Sequence, residues 1–142
     1  MNYTELIKKA ALISFEAHKY DIDKGGYPYF MHPFTLASKF DDEDLCCTAF
    51  LHDVVEDHGD KYTFKYLEEE GFNNNIINAL KLLTHEFSSY EDYVKNLSTN
   101  EIARKVKLED LRNNTDLRRT NGKKPRKYDL YLWAINYLEN ID

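Results

Sequence analysis

Apolar residues return every three or four positions along most of the chain, the spacing that gathers them on one face of an α-helix. No stretch of more than a few residues alternates as a half-buried strand does, so the expected fold class is all-α, one compact bundle of about seven to eight helices. A first helix is predicted over residues 3–20, where Leu6, Ala10, Ile13 and Ala17 share a face, and it ends before the turn signal Lys24-Gly25-Gly26. Residues 33–40 read as a second helix with Pro33 in its first turn, and the acidic run 41–44 offers caps for the third. That third helix, from Leu45 through Cys46, Ala49, Phe50, Val54 and Val55, is apolar almost all round and is expected at the centre of the core.

Further along, Thr63 is expected to cap a short helix ending at Gly71, and Asn73 or Asn74 to open one carrying Ile76, Ile77, Leu80 and Leu83. Ser88 and Glu91 have capping-box spacing ahead of Tyr90, Tyr93, Val94 and Leu97. Thr99 or Asn100 starts a helix over residues 101–117 that brings Ala103, Val106, Asp110 and Asn113 or Asn114 to one side. Pro125 is expected to begin the last helix, with Tyr128, Tyr131, Leu132, Ile135 and Leu138 lying back on the bundle.

Composition narrows the class. A chain of 142 residues, 42% hydrophobic and 31% charged, with 5 Gly and 3 Pro, has the size and balance of a single globular domain over residues 1–142, and not of a disordered or low-complexity chain. A formal charge of −6 argues against nucleic acid as a partner, because that affinity comes from neutralising phosphates. No window is apolar enough for a membrane span and the first residues do not form a signal peptide, so the expected compartment is the cytoplasm, without membrane association. Cys46 and Cys47 are neighbours in an apolar run with no second pair, and read as reduced core thiols.

The candidate chemistry sits in Leu51-His52-Asp53-Val54-Val55-Glu56-Asp57, a histidine and three carboxylates in an apolar helix. Such carboxylates must be solvated, ion-paired or gathered round a cation. On a continuing helix Glu56 lies four residues beyond His52 and Asp57 four beyond Asp53, so both could line one cleft. His32, in Tyr29-Phe30-Met31-His32-Pro33, and Asp110, on the polar side of a packed helix, extend the set. Two imidazoles and two carboxylates suit Mn²⁺, Fe²⁺ or Zn²⁺ and leave positions for water and substrate.

With these residues in place, the chain resembles the HD-domain metal-dependent phosphohydrolases, and within them the hydrolase domain of the RelA/SpoT type and its small stand-alone relatives. The resemblance covers roughly residues 7–138. It rests on Ala17-His18, Lys24-Gly25-Gly26-Tyr27-Pro28-Tyr29 with His32-Pro33, the His52-Asp53 and Glu56-Asp57 pairs, Gly71-Phe72, Leu83-Thr84, and the run 103–111 with Asn114. It implies that His32, His52, Asp53 and Asp110 hold one Mn²⁺, with Fe²⁺ or Zn²⁺ as alternatives, that Glu56 and Asp57 act on the attacking water, and that Asn114 touches the nucleotide. The implied reaction cleaves the ribose 3′ ester of a nucleotide 3′-diphosphate alarmone of the stringent response, (p)ppGpp or (p)ppApp, and releases pyrophosphate. The alternatives are another nucleotide phosphoester, or an inactive metal-binding nucleotide sensor.

Glu56 or Asp57 could serve as general base or hold the water by hydrogen bonding. Lys24, Lys107, Asn114 and Tyr131 are the candidate substrate contacts, with Lys19 and Arg104 as further cations; Tyr128 and Tyr131 also fall on the core stripe of the last helix. His18 is either a hydrogen-bonded core histidine or part of the base pocket, whereas His58 and His85 read as surface residues. Two positions depart from the family pattern. The stretch 20–24 lacks the arginine that usually stacks on guanine, and Asn113-Asn114 keeps only the second member of the usual pair. Relaxed base selectivity is therefore expected. The partner is a small nucleotide, and the sequence leaves room for a homo-oligomer.

Overall fold

A computed structural model describes residues 1–86 and 88–141. Among these the fold is all-α, with nine α-helices and one 3₁₀ turn: α1 (Glu5–His18), α2 (Met31–Ala37), α3 (Glu43–Leu51), α4 (Val54–His58), α5 (Phe64–Glu69), α6 (Asn74–Leu83), α7 (Tyr90–Leu97), α8 (Glu101–Asn114), the 3₁₀ turn (Leu117–Thr120) and α9 (Tyr128–Glu139). The ninth helix arises because the predicted third segment is broken at His52-Asp53. No helix among the described residues is long and apolar enough to cross a membrane.

Side-chain caps fix most helix starts. Thr4, Asp42, Thr63, Asn73 and Asn100 each accept a hydrogen bond from the backbone N–H three residues on, satisfying a donor the helix leaves free. The start of α7 differs from the expected capping box: Ser89, not Ser88, accepts from the Asp92 N–H at 3.1 Å. The same serine–acid pattern is shifted by one residue, and the cap belongs to the serine adjoining the helix. At the far end, α8 stops at Asn114, and Leu117, expected to end it, instead opens the 3₁₀ turn. The last helix begins at Tyr128, with Pro125 in the turn before it, and Leu132 is exposed where the core stripe was expected.

Helix α3 lies at the centre, against α1, α2, α6 and α8. Its residues Cys46 to Leu51 are all buried, as a run that is apolar but for Thr48 requires. Burial pushes the Cys46 thiol up to about 11, and Cys47 higher still, so both stay protonated, as core thiols do. Helix α8 packs against α3 and carries Ala103, Val106, Asp110 and Leu111 on its buried side.

The loop between α1 and α2 is held as tightly as a helix end. Ile22 and Pro28 form an antiparallel bridge, and Asp23 Oδ1 accepts the N–H groups of Gly25 and Tyr27, both at 2.9 Å. Gly25 meets the 3₁₀ turn so closely that a Cβ there would run into the Arg119 carbonyl oxygen. Gly25→Ala is expected to cost about 1–3 kcal/mol, the usual range for forced overpacking, read as a lower urea midpoint at unchanged slope. An unchanged midpoint would show that the loop yields freely.

Candidate metal centre

Three elements meet at one point: the first turn of α2 brings His32, the end of α3 brings His52 with Asp53, and the buried stripe of α8 brings Asp110. One ligand atom each from His32, His52 and Asp53 falls within a 4.8 Å group. Asp110 joins through Oδ1, 2.8 Å from His32 Nε2 and 3.5 Å from His52 Nε2. The two rings stand edge to face, centroids 5.3 Å apart. All four residues expected to hold a metal are thus brought together.

The break in the helix follows from the chemistry of His52. In an unbroken helix the Ala49 carbonyl would receive the Asp53 N–H; here it is occupied by His52 Nδ1 at 2.8 Å. The expected continuous helix through Asp57 is therefore two helices, and Asp53 turns beside His52, its Oδ2 2.9 Å from His52 Nε2.

Hydrogen bonding decides which nitrogen of each ring faces inward. A carbonyl oxygen only accepts, so His52 Nδ1 carries a proton. His32 Nδ1 lies 2.6 Å from Asn113 Oδ1, also an acceptor, and carries one too. A neutral ring protonated at Nδ1 presents a bare lone pair at Nε2, and both Nε2 atoms point at carboxylate oxygens. Lone pairs facing carboxylates repel unless positive charge stands between them. His52 Nε2 is buried and lacks a hydrogen-bond partner of adequate geometry, which marks the place. Neutral imidazoles held through Nδ1, with carboxylates alongside, are the arrangement in which histidine ligates a divalent metal, so the cluster can hold one. Without a metal, burial pushes the His52 pKa down, but Asp53 and Asp110 outweigh it and hold the ring well above its ordinary value.

The surroundings fasten the carboxylates. Tyr29 donates its hydroxyl to Asp53 Oδ2. Lys107 Nζ reaches Asp110 Oδ2 at 2.9 Å, and Asn114 Nδ2 reaches Asp110 Oδ1 at 3.0 Å. Although burial opposes the charge, Lys107, His32 and His52 hold the Asp110 pKa well below the usual carboxylate value. With neutral rings, the two carboxylates and one ammonium leave the cluster at −1, a charge that one divalent cation reverses.

Glu56 and Asp57 stand on α4 with exposed side chains. Glu56 Oε1 accepts the His85 N–H at 2.9 Å. Desolvation, then the charges of Asp53 and Glu56, pushes Asp57 up to about 6 although its surface is solvent-accessible. Beside the cluster lies a pocket of about 280 Å³ lined by Lys24, Tyr29, Asn114, Arg119 and Tyr131 among others. Three of the four candidate substrate contacts, Lys24, Asn114 and Tyr131, therefore share one pocket. Lys107 is committed to Asp110 and lies over the Tyr93 ring at 5.3 Å. Lys19 is paired with Glu16 outside it.

Sequence reasoning named Tyr29 and Asn113 without giving either a place at the centre, and did not single out Arg119. Arg119 enters the pocket from the 3₁₀ turn, held by the Asn113 carbonyl at 2.9 Å and by Asp23 at 3.4 Å. His18 proves to be a buried histidine bonded to Asp21. His58 and His85 are half-buried rather than free surface groups: His58 bonds Asp21, and His85 stacks on Tyr93 with centroids 4.5 Å apart. No family model matches the chain.

Proposed function

We propose that this protein is a metal-dependent phosphohydrolase of the HD type, acting on a nucleotide 3′-diphosphate with Mn²⁺ as its metal. The observation that carries the reading is the pair of buried imidazoles, each tied through Nδ1 to a carbonyl oxygen and each turning Nε2 towards Asp53 or Asp110. A bound divalent metal supplies a water of lowered pKa and offsets charge on phosphoryl oxygens.

The chain's own residues do the rest. His32, His52, Asp53 and Asp110 are the ligands, with Tyr29, Asn113, Asn114 and Lys107 holding them in position. Asp57, with a pKa near 6, takes the proton of the attacking water, and Glu56, its neighbour on α4, holds the His85 N–H. Water oxygen joins the phosphorus, the bond from phosphorus to the ribose 3′ oxygen breaks, that oxygen takes up a proton, and pyrophosphate leaves. Lys24 and Arg119 offer positive charge to the ligand in the pocket, Asn114 polar contact and Tyr131 an aromatic face.

Arg119 supplies a guanidinium that the 20–24 loop lacks, but its bonds to Asn113 and Asp23 already engage it. Stacking is nearly blind to base identity, so guanosine and adenosine substrates are expected to differ by less than about 200-fold in kcat/KM, the reach of shape discrimination. Manganese-loaded protein given nucleotides with 3′ or 5′ phosphates should release pyrophosphate from the 3′-diphosphates only. Absence of that product, with the metal bound, would overturn the assignment.

A further inference from the structure

Away from that centre the described residues bring together a second imidazole–carboxylate group. His18 is the last residue of α1, Asp21 follows in the loop, and His58 is the last residue of α4. His18 Nδ1 and His58 Nε2 converge on one oxygen, Asp21 Oδ2, at 3.0 and 2.7 Å. One ligand atom from each of the three lies within a 4.8 Å group, and none of them belongs to the first centre.

The bland reading is a clamp, two N–H groups donating to one carboxylate. That reading leaves an atom unaccounted for. If His18 carries its proton on Nδ1, its Nε2 lone pair is left bare in the interior, and that atom is buried without a hydrogen-bond partner. His18 is 1% exposed, so no solvent reaches it. A cation on Nδ1 moves the proton to Nε2, on an imidazole whose centroid lies 4.8 Å from that of the tilted Tyr29 ring, and a buried N–H among aromatic groups costs less than a bare lone pair when it can make a weak contact to a π face.

We propose that His18 Nδ1, Asp21 Oδ2 and His58 Nε2 form a second divalent-cation site, of the type that takes Zn²⁺, with its remaining position open to water. His18 closes the site on the protein side, while the Asp21 and His58 side chains, 37% and 31% exposed, leave it open to solvent. Bonds of roughly 2.0–2.2 Å in a tetrahedral site place ligand atoms about 3.4 Å apart. The present separations must therefore open by about half an ångström, a movement that the two partly exposed side chains can make. Burial keeps His18 neutral, and the hydrogen bonds from His58 and His18 keep Asp21 ionised, the forms that ligate. A cation here would bolt the end of α1 to the end of α4.

The test is titration of the metal-stripped full chain with Zn²⁺ and, separately, Co²⁺, followed by metal analysis of the desalted protein. Two equivalents are expected for the parent, one for His58→Ala, one for His52→Ala and none for the double variant. Two equivalents persisting in His58→Ala, or a parent that binds one equivalent lost only with His52→Ala, would overturn the second site and leave the first standing. One equivalent lost only with His58→Ala would do the reverse. Imidazole ¹⁵N spectra of the unmutated protein give a reading independent of variant folding: Zn²⁺ should shift His18 Nδ1 and His58 Nε2. Unmoved resonances at two equivalents of Zn²⁺ would equally overturn the site.

Discussion

Asp110→Ala is expected to lower the unfolding free energy by about 3–5 kcal/mol, because removing one partner of a buried ion pair leaves the other uncompensated. Asp110 is 4% exposed and takes hydrogen bonds from Lys107 and Asn114 while facing both metal-centre imidazoles. The Lys107 side chain, 13% exposed, is too sheltered to recover hydration in place. Burial pulls its pKa down, but Asp110 outweighs that and holds the ammonium well above its ordinary value, a balance the alanine variant reverses. Urea unfolding of the metal-free protein reads the effect without metal binding. Lys107→Met in the Asp110→Ala background should recover part of the loss, since it removes the stranded charge. If the single variant loses less than about 1 kcal/mol, water reaches Lys107 and the pair is not the buried one described.

Asp57→Asn is expected to reduce turnover about 10²–10⁴-fold, the usual contribution of a general base, while metal content stays unchanged. On the proposed function, the rate of the parent protein should rise with pH through about 6, as Asp57 loses its proton. Stability runs the other way. A carboxyl whose folded pKa lies above its unfolded 3.8 binds its proton more tightly in the folded state, so its contribution is lost as pH climbs from 3.8 through about 6. At pH 7 the asparagine variant should therefore be the more stable protein, by about 1 kcal/mol at most for so exposed a side chain. Glu56→Gln keeps an oxygen for the His85 N–H, and separates loss of that tether from loss of a charge. A variant at position 57 with parental turnover would remove Asp57 from the chemistry.

The parts legible in the sequence are those set by local spacing. Asp110 could be placed on the inner side of α8 because Ala103 and Val106 precede it at steps of four and three, and α3 could be placed at the centre because its run has no polar face. The break at His52-Asp53 was not legible, since it follows from a side chain occupying a backbone carbonyl within an otherwise helical pattern. The roles of Tyr29 and Asn113 were not legible because their bonds to Asp53 and His32 join residues 24 and 81 apart in the chain, a distance no periodicity reports. Arg119 was hidden by the helix predicted to run through Leu117, which actually stops at Asn114 and lets the 3₁₀ turn swing back to Asp23. His58 looked like a surface group because its partners, His18 and Asp21, lie on a different helix and loop.

Six consecutive residues of α3, Cys46 to Leu51, have no face towards solvent, and His52 is the very next residue. Interiors packed to crystal density transmit displacement rather than absorb it. The segment therefore has no surface on which substitutions can drift freely, and a change of volume at Phe50 or Leu51 is also a change in where His52 Nε2 points. Among variants of this protein, the positions intolerant of substitution should continue inward along α3, as a trail of buried residues that never meet a ligand.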